Sequence, residues 1–98
     1  MKYYPIYLDL RERPCVVIGG GRVAERKALS LLGAGADVTV ISPSLTPKLR
    51  ELAASGKVLH LQKALEEKDL AGAFLVIAAT DSLEVNSAAG RLCRSASV

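Results

Sequence analysis

Pro14-Cys15-Val16-Val17-Ile18-Gly19-Gly20-Gly21-Arg22-Val23-Ala24-Glu25-Arg26-Lys27 decides how the rest of this 98-residue chain reads. Cys15 to Ile18 is an apolar run of strand length. Three glycines follow, and then residues suited to the start of a helix. Strand, glycine turn and helix in that order fit the pattern G-x-G-x-x-A through Gly19, Gly21 and Ala24, with Gly20 as an extra glycine. Each small residue has a physical task. Gly19 permits a sharp turn out of the strand. Gly21 lets the backbone approach a phosphate with no Cβ in the way, and Ala24 lets the helix pack close on the sheet. The helix start presents unpaired N–H groups and the positive end of its dipole, which together attract a pyrophosphate. The bland alternative is a glycine turn that only packs a βα corner.

Outward from that stretch the chain alternates strands and helices. Tyr3 to Leu10 is a short extended lead-in, and Arg11 to Pro14 a polar turn. Ala24, Ala28, Leu31 and Leu32 recur at helical spacing, so the first helix spans about Arg22 to Leu32 and ends at Gly33 and Gly35. Asp37 to Ile41 is β-branched and gives the second strand. Thr46 followed by Pro47 is an N-cap and first helical position, with Leu49, Leu52 and Ala53 as the apolar stripe of a second helix closed by Gly56. Val58 to Gln62 is a shorter third strand and Glu66 to Leu70 a brief helical turn. Phe74 to Ala79 is continuously apolar, as a strand buried on both faces should be. Asp81 and Glu84 have capping-box spacing, ahead of a last helix carrying Val85, Ala88, Ala89, Leu92 and Cys93 on one face.

That cadence predicts an α/β fold of Rossmann-like type: a parallel sheet of order 3-2-1-4, incomplete on its C-terminal side, with right-handed crossovers and helices on both faces. A ligand belongs across the carboxyl ends of strands one and four, where the order reverses. The reading therefore groups Gly19, Gly20, Gly21, Arg22 and Val23 with Ser42, Pro43 and Ser44, and with Ala79, Thr80 and Asp81, around one crevice. The acid that ordinarily ends the second strand and holds the adenosine ribose hydroxyls is absent. Ser42-Pro43-Ser44 stands there, so serine hydroxyls and loop backbone are left to make those contacts, and a barrier to a 2′-phosphate is removed. A fifth strand is expected where the sequence stops at Val98, which suggests part of a longer protein.

Composition bounds the function. Half the residues are hydrophobic and mean hydropathy is +0.26, which fits a globular chain of one domain. The longest apolar run, Ala73 to Ala79, is too short to span a bilayer, and Met-Lys-Tyr-Tyr-Pro is not followed by a signal-peptide core, so the expected compartment is the cytoplasm with no membrane partner. Net charge is +3, unevenly spread: residues 1–50 hold eight basic and four acidic side chains, residues 51–98 five and six. The excess near the glycine turn, Arg22, Arg26 and Lys27, is either a solvated helix face or a seat for an anion. Nucleic acid is disfavoured by 4% aromatic content and the lack of a dense basic run. Cys15 and Cys93 have no C-x-x-C spacing and read as structural thiols; His60, alternating with Leu59 and Leu61, reads as structural rather than as a metal ligand.

These residues resemble the N-terminal domain of the siroheme synthase family, precorrin-2 dehydrogenases and sirohydrochlorin ferrochelatases. The likeness rests on Tyr4-Pro5-Ile6-Tyr7-Leu8-Asp9-Leu10, Val17 to Lys27, Leu31 to Val40 and Ser42-Pro43. It closes with Val76-Ile77-Ala78-Ala79-Thr80-Asp81 and Val85-Asn86. The unit Gly-Gly-Gly-x-Val-Ala-x-Arg-Lys is far more specific than a bare glycine pattern. The resemblance implies NAD-dependent oxidation of precorrin-2, a tetrapyrrole bearing eight carboxylates, to sirohydrochlorin. It also implies, in many members, insertion of ferrous iron, and a homodimer for the full-length protein. Carried over residue by residue, cofactor contacts fall on Arg22 and Val23 and on Pro43 and Ser44. Gly20 and Gly21 lie at the pyrophosphate, and Thr80 and Asp81 towards the nicotinamide. The family's catalytic aspartate belongs to an Asn-Val-Val-Asp segment expected just past Val98, so no catalytic residue is assigned here, and Asp81 is explained by its capping position. Two other readings stay open: a non-enzymatic module that senses NAD, and a Rossmann-like half with no ligand. An Asn-Val-Val-Asp segment within about ten residues of Val98 would separate the enzyme from the module.

Overall fold

The computed structural model describes residues 7–80. Side-chain alternation builds its sheet. In β1 (Pro14–Ile18) every residue from Cys15 to Ile18 is buried, so both faces of that strand need cover. β1 is flanked by β2 (Asp37–Ile41) and β4 (Leu75–Ala78), and β3 (Val58–Leu61) lies outside β2. All three pairings are parallel and the order is β3-β2-β1-β4, as the cadence of strands and helices predicts. The register levels the carboxyl ends. Ile18 lies beside both Ile41 and Ala78, and Ile41 beside Leu61. Every strand therefore releases its following loop at the same edge.

Two cores result, one on each face. Cys15 and Val17 of β1 with Val38 and Val40 of β2 pack under α1 (Arg22–Gly33) and α2 (Pro47–Ala54). The contacts from the helices are Ala24, Ala28 and Leu31, and Leu49 and Leu52. Alanine at 24 and 28 is what allows α1 to lie close to the strands, and both side chains are fully buried. Val16, Ile18 and Ile41 point the other way and meet Leu70, the last residue of a 3₁₀ turn over Glu67–Leu70. That turn replaces a crossover helix between β3 and β4, and a capping box holds it: Glu66 and Asp69 each accept from the other's backbone.

Asp69 is also the hub of an ion cluster. Its carboxylate, 6% exposed, takes Lys63 Nζ at 2.9 Å and the Glu66 N–H at 2.8 Å. Burial pushes this carboxyl up, but the Lys63 ammonium and the Glu66 N–H together outweigh it and hold it below the usual aspartate range. Among the described residues, no helix is long and apolar enough to cross a membrane.

β4 differs from expectation. The apolar run Phe74 to Ala79 contributes only Leu75–Ala78 to the strand, which is half-buried, with Ala78 exposed. Phe74 is 41% exposed and lies under the Arg13 guanidinium, 4.8 Å from the ring centroid. β4 is an outer strand of the described sheet, so only one neighbour shields its backbone, and residue type alone does not reveal that position. The helix expected from Asp81 onward and the lead-in residues 1–6 lie outside the described residues.

Two outcomes test this packing. Ala28→Leu forces extra carbons between α1 and the sheet and lowers unfolding free energy by about 1–3 kcal/mol in urea titration; an unchanged midpoint would mean that the helix stands off the strands. Because the folded state favours the ionised Asp69, its contribution is complete at neutral pH and is lost as pH falls through the lowered folded value, below about pH 4. Asp69→Asn therefore lowers stability at neutral pH and flattens the acid limb of the stability profile.

Candidate functional site

The levelled carboxyl edge carries a cleft of about 590 Å³. Gly19, Gly20 and Gly21 form one wall with Arg22 and Val23 at the start of α1. Ser42, Pro43 and Ser44, the loop after β2, form a second. Ala79 and Thr80, after β4, form the third. Thus ten of the eleven residues grouped around the crevice from the sequence line a single space. The eleventh, Asp81, lies outside the described residues.

The three glycines have different reasons to be there. Gly19 has φ +124, and a Cβ on it would run into the backbone of Ala79. Its N–H donates to the Ile41 carbonyl at 2.9 Å, and the Ala79 N–H donates to the Ile18 carbonyl at 2.8 Å, so the turn is wedged between the ends of three strands. Gly20 is not an extra. A Cβ there would collide with the Ser44 carbonyl oxygen, because the loop after β2 crosses directly over it, and the Gly20 carbonyl accepts from the Thr46 N–H at 2.9 Å. Gly21 is different again. It sits in extended backbone as the N-cap of α1, no side chain caps that helix, and among the described residues a Cβ would meet nothing within 4 Å. The helix therefore opens its unpaired first-turn N–H groups towards free space.

The loop after β2 is fastened on every side. Ser42 is 7% exposed; its hydroxyl donates to the Ser44 carbonyl at 2.7 Å and accepts from the Ser44 N–H at 3.3 Å. The Ser42 N–H donates to the Leu61 carbonyl at 3.1 Å, and His60 Nε2 donates to the Ser42 carbonyl at 2.8 Å. Further on, Thr46 Oγ1 accepts from the Leu49 N–H at 3.2 Å, capping α2, and donates to Glu25 Oε1 of α1 at 2.7 Å. These bonds revise one expectation. The Ser42 hydroxyl is committed within its own loop, so of the two serines only Ser44 keeps a hydroxyl for a ligand. They also give His60 a definite structural role, as a strut from β3 to the carboxyl end of β2.

Among the described residues no carboxylate lines the cleft, and Arg22 stands at it, whereas Arg26 and Lys27 are exposed on α1 and do not line it. The basic cluster read from the sequence therefore divides. Cys15 is buried under α1; burial first, then the nearby Asp37, pushes its thiol up, which keeps it neutral and fits a structural role. Among the described residues no group of His, Cys, Asp and Glu could hold a metal ion. Helix N–H groups, a guanidinium, a serine hydroxyl and apolar Val23 and Pro43 suit a phosphate-bearing ligand with flat apolar ends.

The comparisons with known proteins agree with that chemistry. The siroheme synthase of Methylobacillus flagellatus is 52% identical over 91 residues, which cover 93% of this chain and 20% of that protein. Siroheme synthase 3 of Aeromonas hydrophila subsp. hydrophila is 49% identical over 87 residues, covering 89% of this chain and 19% of that one. A solved structure named "SirC, precorrin-2 dehydrogenase" aligns with a TM-score of 0.81 at 34% identity, over 87% of this chain and 43% of that one. The chain spans about a fifth of the length of the curated relatives it matches. A family model described as "Putative NAD(P)-binding" matches residues 6–98. With its parallel sheet, its glycine turn and this match over nearly its whole length, the chain belongs to that NAD(P)-binding family.

Proposed function

We propose that these residues form the NAD-holding part of a precorrin-2 dehydrogenase, which oxidises precorrin-2 to sirohydrochlorin in siroheme biosynthesis. The observation that carries the reading is Gly21. Gly19 and Gly20 are glycine because the protein's own backbone crowds them, but at Gly21 no described residue fills the place of a Cβ, and the uncapped end of α1 opens there. A pyrophosphate fits that space and gives those N–H groups their partners. The relatives named siroheme synthase and the structural neighbour named precorrin-2 dehydrogenase support the substrate.

In this reading Gly20 and Gly21 approach the pyrophosphate, with Arg22 and Val23 beside it. Gly19 sets the turn. Pro43 and Ser44 hold the adenosine end, on a loop that Ser42 locks from within. Thr80 and Asp81 border the nicotinamide. NAD supplies the chemistry by accepting a hydride from the tetrapyrrole. The proton released with it needs a base, which we place on the aspartate of an Asn-Val-Val-Asp segment outside these 98 residues. This makes the 98 residues one cofactor-binding unit of a longer protein. Arg22 and the net charge of +3 suit a substrate bearing eight carboxylates. Iron insertion by the whole protein is supported by the siroheme synthases among its relatives. A homodimer is supported by the open outer edge of β3, with Leu59 exposed on it. A cytoplasmic location belongs to the same reading, because the reaction draws on a soluble pool of dinucleotide.

Calorimetric titration with NAD tests the site. Gly21→Val weakens NAD binding by about thirtyfold, roughly 2 kcal/mol, with little change in melting temperature, because the new side chain meets only the ligand. Undiminished affinity would move the phosphates elsewhere. Gly20→Ala has the opposite signature: it displaces the loop after β2 and lowers stability by about 1–3 kcal/mol. Ser42→Ala leaves the Ser44 N–H without its partner and loosens NAD binding by several-fold while the sheet persists, as circular dichroism would report. For the whole protein, precorrin-2 should drive NADH formation, followed by its absorbance. NAD binding without any such turnover would favour a dinucleotide-sensing module.

A further inference from the structure

α1 opens its N-terminus on the cleft, yet it carries a carboxylate in its first turn, Glu25. A negative side chain there is drawn to the same unpaired N–H groups and the same positive dipole end as an anionic ligand, and it repels that ligand. It also has a cation in reach. Side chains three or four positions apart on a helix are neighbours. From Glu25 those positions are Gly21, Arg22, Ala28 and Leu29, so Arg22, which lines the cleft, is the only basic side chain among them. The structure makes neither contact. Glu25 does not line the cleft. Arg22 pairs with no carboxylate among the described residues. Glu25 is engaged elsewhere: its Oε1 accepts from Thr46 Oγ1 at 2.7 Å, in a half-buried bond to the N-cap of α2.

We propose that Thr46 is a positioning residue for the cofactor. Its hydroxyl draws the Glu25 carboxylate towards α2 and keeps that charge off Arg22 and off the open end of α1, leaving both to a pyrophosphate. The proposal rests on the reading of the cleft as a dinucleotide site. Thr46 is suited to the task because its other bonds fix it in place. Its N–H donates to the Gly20 carbonyl at 2.9 Å, and its Oγ1 accepts from the Leu49 N–H at 3.2 Å, so the hydroxyl proton is left to Glu25. Capping α2 uses only the acceptor of this side chain, and an aspartate would cap as well. The donor is the part that capping does not explain.

The test is calorimetric titration of the protein and its variants with NAD, each variant first checked for folding by its melting curve. Thr46→Ala removes the hydroxyl but keeps the backbone bond to Gly20, and should weaken NAD binding by about tenfold. Adding Glu25→Gln to Thr46→Ala should restore most of that affinity, although the cap of α2 is still missing. Glu25→Gln alone should stay within about twofold of the parent protein, because the amide oxygen still accepts from Thr46. Thr46→Ser, which keeps the donor, should bind as the parent does. Thr46→Asp covers the case in which the uncapped variant fails to fold: it caps α2 and faces Glu25 with a like charge, so it should weaken NAD binding and be rescued by Glu25→Gln in the same way. Equal weakening with and without Glu25→Gln overturns the proposal, because Thr46 then acts through the fold alone. Undiminished affinity in Thr46→Ala or Thr46→Asp overturns it too, as does a tenfold loss in Glu25→Gln alone, about the size expected for Thr46→Ala. A parent protein that binds no NAD overturns it together with the reading on which it rests.

Discussion

The contact on which this edge of the molecule depends is the crossing of the loop after β2 over Gly20. The Ser44 carbonyl occupies the place where a Cβ would be, and the Thr46 N–H closes the crossing with a bond to the Gly20 carbonyl. That contact brings two loops from different strands to backbone distance. A parallel sheet alone does not achieve this. Its register only levels the strand ends, and each loop could then turn away. Once the loops touch, their free surfaces form the two walls of one cleft, and the width of that cleft is fixed by backbone rather than by flexible side chains.

Holding the crossing in place takes polar groups in a half-buried setting, where each unpaired one would be costly. The chain meets this by using every one. Ser42 satisfies both backbone groups of Ser44, His60 satisfies Ser42, and Thr46 caps α2 while its hydroxyl proton goes to Glu25. No buried side-chain polar atom lacks a partner among the described residues. The Thr46 to Glu25 bond also links the two helices across the crossing. α1, which presents its N-terminus to the cleft, is thereby tied to α2.

Much of this was legible before the fold was known, and the reason is local. β1, the glycine turn and α1 announce themselves through composition and period within fourteen residues, and right-handed parallel connection then dictates the strand order. The nominated wall residues followed from topology alone, since loops at one edge must face one another. What was not legible depended on contacts between residues distant in the chain. Gly20 read as surplus because its neighbour, Ser44, is twenty-four positions away. His60 carried no motif, because a strut to a backbone carbonyl needs only a donor at the right height. Phe74 to Ala79 looked buried on both faces because an apolar outer strand and a central one have the same composition.

The glycine turn therefore has two functions that a sequence pattern cannot separate. Gly19 and Gly20 are constrained by the protein itself, and their replacement is a matter of folding. Among the described residues nothing crowds the Cβ position of Gly21, the N-cap of α1, so there the backbone is open to something from outside. Where a glycine is crowded by its own backbone, the pattern speaks of architecture. Where it faces open space at a bare helix end, the same letter speaks of a ligand. In this chain the two kinds are adjacent, and the boundary between them, the peptide joining Gly20 to Gly21, is where the fold ends and the binding surface begins.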